Sequence, residues 1–455
     1  MTAMIPSSND FWFLPLGGCG EIGMNLNLYG HAGQWLMVDC GVTFEKQSGG
    51  LNRVEMPDPL FISNRTERLA GLIATHAHED HIGAIAHLWD QFRCPVYTTP
   101  FTRQVLLRKL REKGIEAPVY TVLPGEEISI GPFQVRWISI THSTPETCAL
   151  LISTEAGQVL HTADWKLDAA PVVGPALERS DFTKLAHRGV DAIVCDSTNA
   201  PQKGHSLSEA ELFEDLLATV RDAPGRVIVA CFASNIARLQ TMGNVAHVAG
   251  RYLGLMGRSL HNMVSCARSA GYLDTYFNPV DVRDLAYLPA SDVLVLATGS
   301  QGEPRAALHR LAAGDHPDLE LTPGDTVIFS AKTIPGNEND VEGLIRALTD
   351  KQIRVVHADH SDRALHASGH PYADELKQMY QWVLPRIAIP VHGERWHMKC
   401  NADIAQASGV PFSLLGQNGD LFDVVNGRVT RGFAPVGRLW LDERRAQLNK
   451  VERPC

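Results

Sequence analysis

The run ATHAHEDHIGA, residues 74–84, constrains this chain more than any other stretch of it. The apolar segment LAGLIA leads straight into the run, and IGAIAHL follows it. Five ionisable side chains are crowded together here: His76, His78, Glu79, Asp80 and His81. Alternate residues of an extended backbone point to one side, so the pattern favours a loop at the end of a buried strand over a helix. Imidazole and carboxylate groups at this density predict a site for zinc, manganese or iron.

Three further candidate ligands follow β-like runs elsewhere in the chain. His142 comes after FQVRWISIT, Asp164 after GQVLHTA, and His392 after RIAIPV. A strand-end aspartate often only caps a turn, so each of these residues alone has a structural explanation. Taken with the histidine-rich run, they provide enough ligands for two metal ions. His161 and Asp39 are secondary candidates, and we expect Asp39 to brace a ligand loop without binding a metal itself.

The spacing of apolar residues predicts an α/β protein in which a second domain interrupts the first. Short β-like runs separated by glycine and polar turns fill residues 11–200. Ser206 with Glu209 three positions later predicts a capping box that opens a helix. Strands then alternate with helices, which favours a parallel α/β unit. The predicted segments are 1–205 and 351–440 for the interrupted domain, 206–350 for the insert, and 441–455 for a short C-terminal tail.

Composition narrows the class of protein. The net charge of −10 over 455 residues counts against a protein that holds nucleic acid through overall charge, so any such attraction must be local. No run approaches the roughly 20 apolar residues that a membrane span needs, and MTAMIPSSND lacks the features of a signal peptide. The lack of such a run predicts no membrane partner. Nine scattered cysteines without a CxxC pair predict reduced thiols in a cytoplasmic protein.

The order of these candidate ligands resembles the metallo-β-lactamase fold, an αββα sandwich. HxHxDH comes first, followed by a lone histidine, a lone aspartate and a late histidine. The resemblance implies that one metal is held by His76, His78 and His142, the other by Asp80, His81 and His392, and that Asp164 bridges the two. Ligand types favour zinc and leave manganese open. A metal pair suits thioesters, lactams and phosphodiesters alike, so it does not select the substrate.

Motifs outside the metal ligands point to a substrate class. DSTN, HASGH and PVHGE resemble motifs of the β-CASP nucleases, in which an α/β domain is inserted into the metallo-β-lactamase fold. The strings that resemble the ribonuclease J family, over about residues 12–400, are LGGCGEIGMN, CFASNIARLQ, ATGSQGEPRAAL and IPGNE. The resemblance implies that His370, with Asp80, belongs to the catalytic machinery, His370 protonating the leaving oxygen.

The same resemblance implies a pocket for a nucleotide phosphate. Its matching residues are Ser234, Asn235, His366 and Ser368. Hydroxyl, amide and imidazole donors suit a phosphate without adding net charge, which partly answers the objection from acidity. Ser234 and Asn235 have a second interpretation as the N-cap of a helix over IARLQ. Both hold together, because an open helix N-terminus is itself an anion site.

Three departures from the family pattern bear on these expectations. Ala163 stands where TGD is common, which adds a methyl group beside Asp164 that we expect to be tolerated. Ala331, Lys332 and Thr333 stand in place of three serines. The chain ends soon after GRLWLDERR, leaving no room for the further C-terminal domain that supports dimerisation in the family. Monomer and dimer therefore both stay open.

We predict a two-metal hydrolase that cleaves phosphodiester bonds of single-stranded RNA. The implied activity is 5′-to-3′ exonucleolytic on 5′-monophosphate ends, with endonucleolytic cleavage open as well. The alternative within the class is a single-stranded DNA exonuclease acting in repair. A small-molecule hydrolase, such as a thioesterase or lactamase, is opposed by the insert and by HASGH. A scaffold without catalysis is opposed by the complete ligand set.

Overall fold

Two mixed β-sheets stack face to face in the computed structural model, which describes residues 5–46, 52–442 and 447–451. The eight-stranded sheet has the order Arg428–Thr430, Leu421–Asp423, Trp12–Gly17, Leu26–His31, Gln34–Val38, Leu69–Ala74, Val96–Thr98, Val119–Thr121. The seven-stranded sheet has the order Glu127–Ile130, Phe133–Ser139, Cys148–Thr154, Gly157–His161, Ala192–Asp196, Ile387–Val391, Phe412–Ser413. Their inner faces share one buried cluster, in which Phe13 and Tyr29 belong to the first sheet and Trp137 and Leu150 to the second.

Helices cover the outer face of each of these sheets. The eight-stranded sheet packs against Ile85–Phe92 and Pro100–Glu112. The seven-stranded sheet packs against Arg179–Arg188, Ala373–Val383 and Arg395–Ala407. This αββα sandwich confirms the fold class predicted from the sequence. None of the described helices is both long and apolar enough to cross a membrane.

The insert is built on a five-stranded sheet in which every pairing is parallel. Its order is Tyr252–Met256, Val293–Ala297, Val227–Ala230, Thr326–Phe329, Arg354–His357. Its helices are Phe213–Arg221, Ile236–Ala249, Arg258–Ser269, Ala307–Ala313 and Glu338–Asp350. The predicted parallel α/β unit is confirmed. Its last strand lies beyond residue 350, so the sheet extends past the predicted end of the insert; the domain limits themselves stay a prediction.

Smaller elements complete the described chain. A four-stranded antiparallel sheet has the order Gln447–Lys450, Arg438–Asp442, Asn52–Pro57, Thr43–Lys46, so part of the predicted C-terminal tail belongs to a sheet. Cys19–Gly20 pairs in parallel with Gly393–Glu394. The short helices and 3₁₀ turns are Leu60–Ser63, Thr66–Arg68, Glu79–Ile82, Glu209–Leu212, Val282–Leu285, Ala290–Asp292 and Ala358–His360. Residues 443–446 and 452–455 of the tail lie outside the described residues.

The capping box predicted at Ser206 is wrong. The hydroxyl of Ser208 is the N-cap, and the 3₁₀ turn behind it begins at Glu209. The Ser206 hydroxyl instead donates a hydrogen bond to Glu375, and the Glu209 carboxylate pairs with Arg238. Both partners are distant in sequence, and leaving the buried Arg238 guanidinium without its carboxylate would cost more than a local cap gains.

The cysteines that the structure describes form no disulfide and belong to none of its possible metal sites. Eight free thiols fall within the described residues, and all of them except Cys400 are buried. Burial raises the pKa of the Cys231 thiol to about 12, so its reactive thiolate form is suppressed at neutral pH. Cys455 lies outside the described residues.

Candidate metal centre

The histidine-rich run begins where the strand Leu69–Ala74 ends. His76 and His78 lie on the loop that follows this strand, as predicted. The expectation of a loop is wrong for Asp80 and His81, which lie in the short helix Glu79–Ile82. The loop and the short helix thus bring ligands to the same edge of the sheet.

A first set of possible ligands consists of His76, His78, His142 and Asp164, whose ligand atoms all lie within 4.8 Å of one another. Nε2 of His76 lies 3.1 Å from Nδ1 of His78, and Nε2 of His142 lies 3.0 Å from that same atom. Each ring nitrogen either donates one proton or accepts one, so three that converge cannot all satisfy one another. A divalent cation with nitrogen and oxygen ligands satisfies all of them, and the donor set fits such an ion.

A second set consists of Asp80, His81, Asp164 and His392. Nε2 of His392 lies 3.1 Å from the Asp80 carboxylate, and Nε2 of His81 lies 3.2 Å from that of Asp164. Asp164 therefore belongs to both sets. The structure brings together all seven residues predicted as ligands, while the ion that each one binds and the bridging role of Asp164 stay predictions.

Asp39 orients one of these ligands. Its carboxylate lies 2.7 Å from Nδ1 of His81 and accepts hydrogen bonds from the N–H and hydroxyl of Thr75, at 2.8 and 2.9 Å. A carboxylate only accepts, so Nδ1 of His81 carries the proton and Nε2 is turned toward Asp164. His161 is not brought into either set; its Nδ1 lies 2.9 Å from the Tyr29 hydroxyl.

The electrostatics of the centre separate its two sides. Burial lowers the pKa of His76 and His142 well below the ordinary value and that of His78 to about 4, which leaves neutral imidazoles. Burial alone would raise the pKa of Asp164, but neighbouring histidines, His392 first, hold it well below the usual range. Burial alone would also lower the pKa of His81 and His392, but neighbouring carboxylates, Asp164 first, raise it well above the ordinary value for His81 and to about 10 for His392. These two rings must lose a proton when a metal ion binds, because ionised carboxylate and neutral imidazole are the forms that bind a metal ion.

Four residues at this centre or next to it have left-handed backbone. Met24, Asp39, Ala163 and His392 have φ between 51° and 64°. For a residue with a side chain this conformation costs roughly 1–2 kcal/mol. Ala163 thus occupies a position that favours glycine, which explains why glycine is common there in the TGD pattern. Strain of this kind persists where the surrounding structure holds it, as at ligand sites.

The glycine-rich turn LGGCGEIGMN reaches the loops that carry the ligands. The Asn25 N–H donates to the Asp80 carbonyl at 2.9 Å, and the His392 N–H donates to the Gly18 carbonyl at 2.7 Å. Gly41 lies just as close, because a Cβ built on it would lie 1.7 Å from the Asp80 carbonyl oxygen. The glycine-rich turn and Gly41 therefore both bring backbone close to the loops that carry the metal ligands.

His370 lies beside the ligands and is held by Asp196. Its Nδ1 is 2.8 Å from the Asp196 carboxylate, which also accepts the N–H and hydroxyl of Thr198. Burial alone would lower the pKa of His370, but Asp196 and then Asp164 raise it on balance. Asp196 belongs to the DSTN motif, and no individual role was predicted for it from the sequence. Its position at the end of the strand Ala192–Asp196, like that of Asp164, was the available signal.

The four residues predicted to bind a phosphate lie on two segments. Asn235 accepts the Arg238 N–H at 2.8 Å and so caps the helix Ile236–Ala249, directly after Ser234. The Ser368 hydroxyl accepts the Asn199 amide at 2.7 Å. His366 is half-buried, yet its Nδ1 is buried without a hydrogen-bond partner.

Arg238 joins these two segments. Its guanidinium donates to the Leu365 carbonyl at 3.3 Å, and its backbone N–H is the one that Asn235 caps. The helix start that bears Asn235 is thereby attached to the segment that bears His366. Phosphate binding by the four residues stays a prediction.

Comparisons with known proteins cover most of the chain. The family models that match are "Metallo-beta-lactamase superfamily" at residues 24–217, "Ribonuclease J, beta-CASP domain" at 224–348, and "Zn-dependent metallo-hydrolase RNA specificity domain" at 362–413. Ribonuclease J of Sinorhizobium meliloti is 41% identical over 438 residues, which cover 94% of this chain and 77% of that protein. Ribonuclease J of Mycolicibacterium smegmatis is 39% identical over 434 residues, with the same coverage.

The chain belongs to the ribonuclease J family. It is a metal-dependent nuclease with a metallo-β-lactamase domain into which a β-CASP domain is inserted. A solved structure of an Enterococcus faecalis V583 protein of unknown function shares the fold, with a TM-score of 0.63 at 14% identity, covering 91% of this chain and all of that one. Membership of the family decides against the small-molecule hydrolase and the scaffold.

Proposed function

We propose that this protein hydrolyses phosphodiester bonds of single-stranded RNA with two divalent metal ions, acting 5′-to-3′ from 5′-monophosphate ends. The observation that carries the proposal is the double ligand set that shares Asp164, with the His370–Asp196 pair beside it. Its relatives are named Ribonuclease J, and one matching model describes an RNA specificity domain. RNA is thus favoured over DNA as the polymer that is cleaved, and internal cleavage is compatible with the same centre.

The residues divide by role. One ion is assigned to His76, His78 and His142, the other to Asp80, His81 and His392, with Asp164 shared. When bound, such a pair supplies the Lewis acidity that yields a nucleophile from water at neutral pH and neutralises charge that develops at phosphorus. Zinc is our first assignment because it suits nitrogen and oxygen ligands, and manganese accepts the same set.

His370 is assigned to protonate the leaving 3′-oxygen. Asp196 takes up Nδ1 of the ring, which leaves Nε2 as the nitrogen that faces a substrate. The raised pKa of His370 favours its protonated form near neutral pH, which is the form a general acid needs. Asp196 orients this ring and stabilises its positive charge.

The 5′-to-3′ direction of degradation is assigned to binding of the RNA 5′ phosphate in the phosphate pocket. Ser234, Asn235, His366 and Ser368 offer neutral donors, and the helix start at Ile236 adds backbone N–H groups with a positive dipole end. A terminal phosphate bound there fixes the distance from the RNA 5′ end to the metal centre. Such a site accepts a 5′-monophosphate and gains nothing from a 5′-hydroxyl.

A matched degradation assay tests the proposal. Labelled single-stranded RNA and DNA of one sequence, each with a 5′-phosphate or a 5′-hydroxyl, are offered to the wild type, to Asp80→Ala and to Asp90→Ala. Asp90 is an exposed carboxylate paired with Arg93 on the protein surface, so its variant controls for loss of one negative charge. We expect release of mononucleotides from 5′-phosphate RNA by wild type and Asp90→Ala, and none by Asp80→Ala.

Other outcomes of this assay contradict specific parts of the proposal. Cleavage of DNA with RNA spared overturns the choice of RNA and supports the DNA exonuclease. Equal rates on 5′-phosphate and 5′-hydroxyl RNA overturn the role of the 5′ end. A wild type that cuts neither polymer with zinc or manganese overturns hydrolysis of phosphodiesters as a whole.

A further inference from the structure

A lysine lies at the same sheet edge as the proposed phosphate pocket. The strands Val227–Ala230 and Thr326–Phe329 pair in parallel, so the loops that follow them meet at one edge of the insert sheet. The first loop leads into Ser234 and Asn235. The second carries Lys332. Carboxyl ends of neighbouring parallel strands are where α/β sheets bind ligands.

Three cations act electrostatically on the pocket histidine. Burial is the main cause that lowers the pKa of His366 to about 3, and the positive charges that lower it further belong to Arg238, Lys332 and Lys166. Each of these three cations therefore lies near enough to His366 to act on a charge in the pocket. An anionic ligand interacts strongly only with a cation that is not already neutralised by a protein carboxylate.

Two of the three cations are already neutralised in the interior. Arg238 is fully buried and makes a two-pronged contact with Glu209, at 2.5 and 3.1 Å. Lys166 is buried as well; its ammonium lies 3.1 Å from Asp168 and donates to the Leu207 carbonyl. Their side chains are structural and cannot turn toward a substrate.

Lys332 differs from these two cations in its exposure and in its contacts. Its side chain is exposed, and no hydrogen bond or ion pair engages its ammonium within the residues that the structure describes. Its backbone is nevertheless fixed, because its carbonyl accepts the Gln301 amide at 3.0 Å and the same Gln301 side chain accepts the Ile334 N–H at 2.8 Å. A free charge thus stands on an anchored loop.

We propose that Lys332 binds the 5′-phosphate of the substrate and is a specificity-determining residue of this enzyme, an inference that rests on the proposed function. A terminal phosphate carries nearly two negative charges at neutral pH. The hydroxyl, amide and neutral imidazole groups of the pocket position it but leave that charge unbalanced. Lysine supplies a point charge on a flexible stem that follows the phosphate.

The test compares kcat/KM on 5′-phosphate and 5′-hydroxyl RNA of one sequence, with the metal-loaded full chain. The variants are Lys332→Gln, Lys332→Arg and, as the control that removes one charge elsewhere, Lys184→Gln. Lys184 is exposed on the helix Arg179–Arg188, which covers the outer face of the seven-stranded sheet. We expect Lys332→Gln to lose about tenfold on 5′-phosphate RNA and to keep its rate on 5′-hydroxyl RNA.

Lys332→Arg retains the charge and most of the preference, and Lys184→Gln behaves as the wild type. The salt dependence of kcat/KM on 5′-phosphate RNA also becomes shallower in Lys332→Gln, by roughly 0.7 in the logarithmic slope for one lost phosphate contact. An unchanged preference in Lys332→Gln overturns this inference and leaves the proposed function standing. Equal losses on both RNAs overturn it too, since they indicate a general contact. A wild type without any 5′-phosphate preference overturns both.

Discussion

At the scale of single residues, Asp196 and His370 form the contact that most directly concerns catalysis. Asp196 is buried, and its carboxylate lies 2.8 Å from Nδ1 of His370. Asp196→Asn keeps the shape but removes the charge that stabilises the protonated ring. We predict a loss of roughly 10²-fold in kcat on RNA, of the size that general acid catalysis contributes. Metal content measured on the same preparation should equal that of the wild type; undiminished turnover would show that Asp196 does not act through His370.

Gly41 provides a second residue-scale test, because backbone rather than side chain holds the metal loop. A Cβ at Gly41 would lie 1.7 Å from the Asp80 carbonyl oxygen and 2.5 Å from the His81 nitrogen, so the loop must move. We predict that Gly41→Ala loses bound metal and most activity, measured by metal analysis and RNA turnover. Gly343→Ala, where nothing lies within 4 Å of the new Cβ, is the matched control. Full metal content in Gly41→Ala contradicts the account.

Residue types and their order predicted the metal ligands well. They did not predict the roles of residues whose partners are distant in sequence. The run at 76–81 and the strand-end residues converge as expected because strand ends meet at one edge of a sheet. Asp196 received no role, since a strand-end aspartate looks the same whether it caps a turn or holds a histidine. Glu209 looked like a capping residue because its true partner, Arg238, is 29 positions away. No local pattern announces such a pair.

At the scale of elements, the Glu209–Arg238 pair attaches the helix Ile236–Ala249 to two other segments. Arg238 also donates to the Ser330 carbonyl at 2.6 Å and to the Leu365 carbonyl. Glu209→Gln leaves a buried guanidinium without its counter-charge. We predict a loss of about 3 kcal/mol in the free energy of unfolding, measured by urea denaturation. Glu211→Gln, an exposed change in the same turn, should cost almost nothing. Equal stabilities of the two variants would contradict the structural role of the pair.

The helix Glu338–Asp350 offers a prediction of opposite sign. Gly343 lies in its interior, and a methyl group there meets no atom within 4 Å. Glycine costs a helix interior roughly 0.5–1 kcal/mol relative to alanine. Gly343→Ala should therefore raise the unfolding free energy by about that amount in the same denaturation series. A decrease would indicate a neighbour that the packing of this helix does not show.

The boundaries of helices and strands were predictable where apolar spacing is regular. They were not predictable where hydrogen bonds to a distant strand decide the sheet to which a strand belongs. The alternation of strands and helices in the insert was clear from sequence and is confirmed. The strand Arg354–His357 was assigned to the other domain, because only its hydrogen bonds to Thr326–Phe329 reveal the sheet to which it belongs. Similarly, Arg438–Asp442 pairs with Asn52–Pro57 nearly 400 residues away, which no local pattern in the tail indicates.

At the scale of the whole molecule, buried histidines make stability depend on pH. Burial lowers the pKa of His161 to about 4, so the folded protein keeps it neutral while the unfolded chain takes up a proton below the ordinary value of 6.5. The contribution of neutral His161 to the free energy of unfolding is fully present above about pH 6.5 and is lost as pH falls toward 4. At pH 5 the loss amounts to about 2 kcal/mol.

His161→Gln tests this dependence, since glutamine retains a partner for the Tyr29 hydroxyl but does not titrate. Urea unfolding of the metal-free protein at pH 7.5 and pH 5 should show a smaller loss of stability in the variant than in the wild type. If both lose the same amount, protonation of His161 does not contribute.

The central claim is that seven side chains form two ligand sets with Asp164 in common, hold two metal ions, and thereby hydrolyse RNA. Native mass spectrometry of the purified chain, with RNA turnover measured as metal is added back to the chelated protein, tests it most directly. We predict two divalent ions per chain, activity that requires both, and loss of bound metal and of turnover in Asp164→Ala. A wild type that is fully active with one ion or none, or an active Asp164→Ala, would contradict the claim.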